Sequence, residues 1–307
     1  MYVFLVLSLA MPFVMPSYML TLYTELLILG LFAISLNIQF GFAGLVTFGH
    51  AAFYGLGAYT ASILLLNTGI PFIVAVPLAA AVSGIIAVPV GWLCTRAAGA
   101  AYAMLTLAVA QTFYAITFKW TELLGGSDGL AGVPRTTFGN WDAVLATREG
   151  YFYFVVAVIA LAYGMMRYFT RSPMGSIIRG IREQPERAEA LGFNLKRYRM
   201  TAIAVSGVGG GLAGGLYAPF AGFVAPELLF WLTSGTGLIM AVMGGSRWLA
   251  GPMTGAFVFV LLEHYVQQFT QSWNLIVGGI FVLVVIFVPG GILSLTDRAL
   301  RRKGETL

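Results

Sequence analysis

Charge is scarce in this sequence. Only 9% of its 307 residues are charged, against about a quarter in soluble domains, and 59% are hydrophobic. This composition excludes an ordinary soluble protein and predicts an all-α polytopic membrane protein, a single transmembrane domain over residues 1–307. The net charge of +5 is small and confined to two loops, so it indicates contact with the lipid bilayer and no nucleic-acid partner.

Residues that carry chemistry are also scarce. Cys94 is the only cysteine, which excludes an intramolecular disulfide, and the two histidines, His50 and His264, have no metal-binding spacing. The sequence contains no GxxxxGK[ST] signature of a P-loop. Its triple glycine at 209–211 resembles a nucleotide-binding loop only superficially, since it lies inside an apolar run. We therefore expect no catalytic, cofactor-binding or metal-binding residue, and no enzyme activity, in this chain.

Long apolar runs are abundant. A bilayer span needs about 20 mostly apolar residues. The first run has neither a positive leader nor a small-residue cleavage site, which predicts a retained span. Two runs, 44–66 and 228–244, are rich in glycine and could be broken or re-entrant. We predict about ten transmembrane helices, near residues 2–20, 23–40, 44–66, 71–93, 100–118, 151–169, 200–220, 228–244, 251–268 and 273–291.

The distribution of Lys and Arg predicts the orientation. The loop 170–199 and the tail 292–307 carry the two basic clusters, and basic loops remain in the cytoplasm. Ten spans place both clusters and both termini inside. The connection 119–149 is then a long external loop, and loops of that length are usually functional or disordered.

The loop at 171–199 is the longest strongly polar interval. It holds seven of the 17 basic and three of the 12 acidic residues. Ile177, Ile178 and Ile181 follow the spacing of one helix face. Pro185 cannot continue that helix but suits the first position of a second one.

The second short helix is predicted to end at Gly192, with Ala188 and Leu191 on one face. We interpret the two amphipathic helices as a module that docks into a groove on a separate protein. The alternative, a basic loop held at anionic lipid headgroups, explains the charge but not the framing by Pro185 and Gly192.

Glycines four residues apart mark helix contacts. Gly207, Gly211 and Gly215 have this spacing, with Gly210 and Gly214 on an adjoining row. Small residues so placed let two helices approach closely in lipid. The pattern predicts helix packing, and a mobile seam in a transport cycle is the alternative.

Few ionisable residues lie at the predicted membrane depth: Glu25, His50, Glu263 and His264. For His50, a structural histidine that bonds freed backbone groups is favoured over one that contacts a solute. Proton-coupled transporters rely on acidic residues near the midplane, and this chain has few. We therefore expect the driving force to come from another chain.

Two glycine-rich stretches are candidates for a translocation pathway: the run 41–57 and the external turn after Gly126. For the turn, ordinary Asp-Gly turn chemistry is the alternative. The candidate pathway residues are Gly44, Thr47, His50, Ser127 and Asp128.

Four stretches together carry a resemblance to one family. Residues 36–62 (LNIQFGFAGLVTFGHAAFYGLGAYTAS) contain a glycine-rich segment around a Gly-His pair, and 101–134 end in GGSDGLAGVP. The polar loop 171–199 and the turn at 243–263 (MGGSRWLAGPMTGAFVFVLLE) follow in the same order. Over nearly its full length the chain resembles the permease subunits of branched-chain amino acid ABC importers, the Liv family, and their M-type more than their H-type.

The resemblance implies a heteromeric importer in a bacterial or archaeal inner membrane. Its other parts would be an H-type permease, two ABC ATPases that bind ATP and magnesium, and an external substrate-binding protein. It implies the ABC importer permease fold, with a pathway between two permeases and a cytoplasmic coupling helix. The coupling residues would be Pro185, Glu186, Arg187, Ala188, Glu189, Leu191 and Gly192.

Small departures from the family pattern leave the solute open. Thr47 stands where Ser is frequent, Leu124 replaces Thr or Ser, and Arg247 with Trp248 replace a small pair. The resemblance nevertheless predicts import of branched-chain amino acids. The alternatives are the same machine for urea, short-chain amides or aromatic acids, a stand-alone secondary transporter or channel, and a membrane scaffold that moves nothing.

Overall fold

The protein is mainly helical in the described part of the chain. A computed structural model describes residues 11–14, 16–135, 147–269, 273–287 and 290–294. Single helical turns lie at Met11–Val14, Thr121–Leu124, Gly126–Asp128 and Pro226–Leu229. The longer helices are α1 (Ser17–Asn37), α2 (His50–Thr68), α3 (Phe72–Cys94), α4 (Ala100–Lys119), α5 (Arg148–Arg171), α6 (Pro173–Glu183), α7 (Pro185–Ala190), α8 (Leu195–Ala221), α9 (Trp231–Gly244), α10 (Gly251–Gln267) and α11 (Trp273–Phe287).

The number of spans is only partly decided by these helices. Within the described residues, α1 with its extension to Phe42 and α3, α4, α5 and α8 are long and apolar enough to cross a membrane. Helix α9 is apolar but has 14 residues. Most of the predicted run 2–20 and the basic part of the predicted tail lie outside the described residues, so ten spans stay a prediction.

In both glycine-rich runs, the helix begins later than the apolar pattern predicts. Helix α1 ends in a π-helix at Ile38–Phe42, and the non-helical residues 43–49 follow before α2. We call residues 43–49 the break. Gly44 has a φ of +70°, which excludes it from a helix, so the predicted run 44–66 is broken at its start and its helix begins at His50. The run 228–244 likewise begins in a 3-10 turn, and α9 starts at Trp231.

Helix α8 lies between α3 and α2. Its predicted glycine row faces small residues of α3. A Cβ placed on Gly207 would lie 2.4 Å from the Ala87 Cβ, one on Gly211 2.3 Å from the Ser83 Cβ, and one on Gly215 3.3 Å from the Ala79 Cβ. The two backbones therefore approach too closely for larger side chains.

The adjoining row on α8 faces α2. A Cβ on Gly214 would lie 1.8 Å from the Tyr54 carbonyl oxygen, and one on Gly210 would lie 3.1 Å from the His50 ring. Two rows of glycine therefore pack α8 on two helices at once, which makes it the central helix of the described fold.

Part of the predicted external loop packs against the end of α8. Strand β1 (Leu130–Ala131) pairs antiparallel with β2 (Phe223–Val224). The Arg135 side chain donates hydrogen bonds to the carbonyls of Pro219 and Phe220, at 2.8 and 3.0 Å, and so caps the helix. Residues 136–146 of this loop lie outside the described residues.

Candidate coupling module and helix break

The two predicted short helices of the polar loop are present. Ser172 begins α6, its Oγ accepting from the Gly175 amide at 3.3 Å, and Pro173 occupies the first turn. One residue, Gln184, separates α6 from α7, and Pro185 opens α7, where its missing N–H is not needed. We call residues 173–193 the module.

Helix α7 ends as the sequence predicts. Gly192 has a φ of +86°, its amide donates to the Glu189 carbonyl at 2.9 Å, and the Phe193 amide donates to the Ala188 carbonyl at 3.1 Å. These two hydrogen bonds form a Schellman motif, which favours glycine at the position of Gly192. Asn194 then caps α8 by accepting from the Arg197 amide at 3.1 Å.

A groove of about 340 Å³ runs along the module. Ala188 and Leu191 both line it, but they do not form one exposed apolar pair: Ala188 is 8% exposed and Leu191 is 69% exposed. Ala188 points inward because it lies on the face of α7 that packs on the protein. The remaining lining residues are Ile177, Gly180, Glu183, Gln184, Arg187 and Phe193.

The charged residues of α7 face outward. Glu186, Arg187 and Glu189 are exposed, and among the described residues Arg187 donates a hydrogen bond to the Gln184 side chain, at 3.5 Å. Within the described part of the chain, neither Glu186 nor Glu189 forms an ion pair. Their charges are therefore free for another molecule.

Helix α6 fastens the module to the membrane helices. Ile178 and Ile181 are buried, as one apolar face predicts, whereas Ile177 is half-buried in the groove. Arg182 Nη1 donates to the Gly41 carbonyl at the end of α1. Arg179 donates to the Thr170 carbonyl at 3.0 Å, and its guanidinium lies 5.8 Å from the centre of the Phe42 ring.

His50 lies in a buried polar network at the start of α2. Its Nε2 is 2.8 Å from Ser35 Oγ, and its Nδ1 is 3.4 Å from Ser206 Oγ. Gln39 donates to Ser206 Oγ at 2.9 Å and accepts from the Tyr102 hydroxyl at 3.3 Å. His50 is completely buried, so a solute has no access to it in this conformation.

The backbone groups freed by the break are bonded by other side chains. The Phe48 amide donates to Thr106 Oγ1 at 3.2 Å, and the Gly49 amide donates to Thr47 Oγ1 at 3.1 Å. The Ala51 amide donates to Ser234 Oγ at 2.7 Å. His50 is buried and hydrogen-bonded, as expected of a structural histidine, but it does not bond these three amides. Short hydroxyl side chains do so, and His50 joins helices instead.

A small cavity adjoins the network. It has a volume of about 10 Å³ and is lined by residues that include Gln39, Thr47, Tyr102 and Thr106. This is about the space that one water molecule needs. A passage for an amino acid is not open at this point.

The candidate pathway residues do not come together. Gly44 is exposed beside Arg182, whereas Thr47 is 1% exposed and lies near Thr106 in the second turn of α4. Ser127 and Asp128 are exposed in a 3-10 turn beyond the far end of α4, with Ser127 Oγ 3.2 Å from Asp128 Oδ1. Along α4 the two groups are about 20 Å apart, at 1.5 Å per residue.

Sequence reasoning missed several residues of this site. Ser35, Gln39 and Ser206 are polar residues inside apolar runs, a signal that could have been used. For Arg182, nothing in the local pattern distinguishes it from the other basic residues of the loop. Its contact joins positions 141 residues apart.

Comparisons with known proteins agree with the resemblance. The permease LivM of the high-affinity branched-chain amino acid transport system of Salmonella typhimurium is 28% identical over 97% of this chain and 75% of its own length. A probable branched-chain amino acid transport permease, LivH, of Methanocaldococcus jannaschii is 24% identical, covering 92% of each chain. The guanosine ABC transporter permease NupQ of Bacillus subtilis is 31% identical over 35% of this chain and 33% of its own.

No solved structure matches the chain. One family profile, described as branched-chain amino acid transport system / permease component, matches residues 18–286. With its long apolar helices, the chain is a multi-pass membrane protein. It belongs to this family of permease components, as the four sequence stretches predict.

Proposed function

We propose that the chain is a permease subunit of an ATP-driven ABC importer for branched-chain amino acids. It forms the translocation pathway with a second, H-type permease and is driven by two ABC ATPases, which bind ATP and magnesium. An external binding protein delivers the amino acid. The names of the LivM and LivH relatives support the solute class.

The module is the observation that carries this proposal. It presents unpaired charges and a groove on α7, and it is fastened to α1 by Arg182. The module is fixed to the membrane helices but exposed on its outer side, so a separate chain could bind it and transmit a movement through it. We assign coupling to residues 185–192.

The orientation follows from the same proposal. Helix α8 begins directly after the module and ends beside β2, which pairs with the 119–149 loop. Its 27 residues span about 40 Å, enough to cross a bilayer. This separation supports a cytoplasmic module, an external loop and, with ten spans, two cytoplasmic termini in the inner membrane.

Helix α4 supports a contact with the second permease. It is the least buried of the five long apolar helices, and beside the bulky Met104, Ile116 and Phe118 its exposed side carries a stripe of small and polar residues. The exposed face of α3 carries bulky residues such as Leu78, Ile85 and Trp92, which suit lipid. The exposed residues of α4 include Ala101, Ala108, Thr112 and Ala115.

We place the pathway beside this face of α4. Gly44 and Val46 of the break are exposed near its inner end, and Ser127 and Asp128 near its outer end. Thr47 and His50 shape the break from within the protein. Their buried bonds keep the pathway closed in this conformation.

Charge reversal on α7 tests the proposal. In vesicles that contain the two permeases, the ATPases and the binding protein, Glu186→Lys, Arg187→Glu and Glu189→Lys should lower leucine uptake per ATP hydrolysed. Arg197→Glu, an exposed position outside the groove, is the matched control. Wild-type uptake per ATP in all three variants would contradict the coupling role.

The solute and the energy source are tested separately. The partial likeness to NupQ shows that permeases named for other solutes share part of this sequence. Competition of leucine uptake by urea, acetamide and phenylacetate distinguishes the solute classes. Uptake without the ATPases, driven by an ion gradient, would identify a secondary transporter instead.

A further inference from the structure

We propose that Arg182 is a positioning residue that transmits movement of the docked α7 helix to the break. This inference rests on the proposed function, because it requires ATPases that act on the module. Arg182 does not touch the solute. It connects the module to the segment where α1 ends and α2 begins.

The first contact is at the end of α1. The last carbonyls of a helix have no partner within it, and the negative end of its dipole attracts a cation. Arg182 Nη1 donates to one of these carbonyls, that of Gly41. The guanidinium therefore acts as a cap supplied by another element.

The second contact is with Gly44. Its φ of +70° turns the chain out of the helix, and a Cβ placed there would lie 2.7 Å from Arg182 Cγ. The aliphatic part of the Arg182 side chain thus occupies the space next to Gly44, while its guanidinium bonds the Gly41 carbonyl. One side chain therefore contacts both the end of α1 and the break.

Arg182 is rigidly connected to α7. Only Gln184 separates the two short helices, and its carbonyl accepts from the Ala188 amide at 3.1 Å. Ile178 and Ile181 pack α6 on the protein. A push on α7 should therefore move Arg182 with it.

The other side of the break leads into the buried network. The Leu45 amide donates to the Gln39 carbonyl at 2.9 Å, and the Gln39 side chain bonds Ser206 and Tyr102. Ser206 lies beside His50 at the start of α2. Displacing Gly41 and Gly44 would therefore disturb the bonds that keep this region closed.

The test measures leucine uptake per ATP hydrolysed in vesicles that contain the whole complex. Arg182→Gln should lower this ratio about ten-fold, the loss expected for one hydrogen bond from a charged group. The ATPases should still co-purify, because α7 is untouched. Arg182→Lys, which keeps a charged donor, should recover part of the ratio, and Arg197→Gln should leave it unchanged.

A glycine pair supplies a second, independent test. Gly44→Ala should lower the ratio because its new methyl displaces the Arg182 stem. Gly69→Ala is matched, since Gly69 also has a positive φ, +63°, but nothing lies within 4 Å of a Cβ there. Gly44→Ala combined with Arg182→Gln should be no worse than the single variants, because both break the same contact.

Opposite results would overturn the inference. An unchanged ratio in Arg182→Gln, or additive losses in the double variant, would show that the contact transmits nothing. Loss of the ATPases from the Arg182→Gln complex would assign Arg182 to docking instead. Failure of the proposed function is distinguishable, because the wild-type complex would then take up leucine without ATPases or take up no leucine at all.

Discussion

At the scale of single residues, Gly214 in the interior of α8 is one of the most restrictive positions. Tyr54 is completely buried on α2, and its carbonyl faces Gly214 at a distance that leaves no space for a side chain. Backbone is a worse obstacle than a flexible side chain, because it cannot change rotamer. The contact must therefore open if Gly214 is replaced.

Gly214→Ala is expected to destabilise the protein by about 1–3 kcal/mol, the range for overpacking a filled core. The measurement is thermal unfolding of the purified protein in detergent. Gly235→Ala is the matched control, because Gly235 is also helical but nothing lies within 4 Å of a Cβ there. The control should be neutral or stabilising by up to about 1 kcal/mol. Equal effects at both sites would contradict the close contact.

At the scale of elements, the break between α1 and α2 decides which residues a solute can reach. Neighbouring side chains in it differ sharply in exposure: Val46 is 43% exposed and Thr47 is 1% exposed. In an extended backbone, successive side chains point in opposite directions. One side of the break therefore faces outward and the other faces the buried network.

Cysteine labelling tests this assignment in a Cys94→Ala background. We expect Val46→Cys to react readily with a water-soluble maleimide and Thr47→Cys to react at least ten times more slowly, since only an exposed thiolate is attacked. In the complete complex, leucine with the loaded binding protein should protect Val46→Cys. Met174→Cys, on an exposed part of α6, is the control that solute should not protect. Identical labelling of Val46→Cys with and without solute would contradict a pathway here.

Much of the module could be predicted from its sequence, and little of the break could. Pro185 and Gly192 act through their own backbone angles, so the ends of α7 are readable locally. The late start of α2 depends on bonds to Thr106 and Ser234, which are distant in sequence. An apolar pattern carries no information about such partners.

At the scale of the whole molecule, the exposed surfaces of α3 and α4 differ in a way that composition alone does not reveal. Both helices are apolar and long enough to cross a bilayer. The exposed stripe of Ala101, Ala108, Thr112 and Ala115 on α4 suits close approach of another helix, because packing replaces the hydrophobic effect in lipid. The bulky face of α3 suits acyl chains.

A matched pair of alanines tests this difference. Ala108 on α4 and Ala81 on α3 are both exposed. Ala108→Trp should block the approach of the second permease and reduce its co-purification at least ten-fold, whereas Ala81→Trp should meet only lipid and have no effect. Normal co-purification with Ala108→Trp would place the subunit contact on another face.

The sequence by itself determined the membrane class, the family and the two helices of the module. Each of these depends on composition, motif order or backbone preferences that act over a few residues. Only the tertiary structure decided where α2 begins, what His50 bonds and which arginine holds the break. The reason is physical: capping and network bonds are chosen by whichever side chains the folded helices bring within about 3 Å. Those partners are 15 to 183 residues apart in the chain.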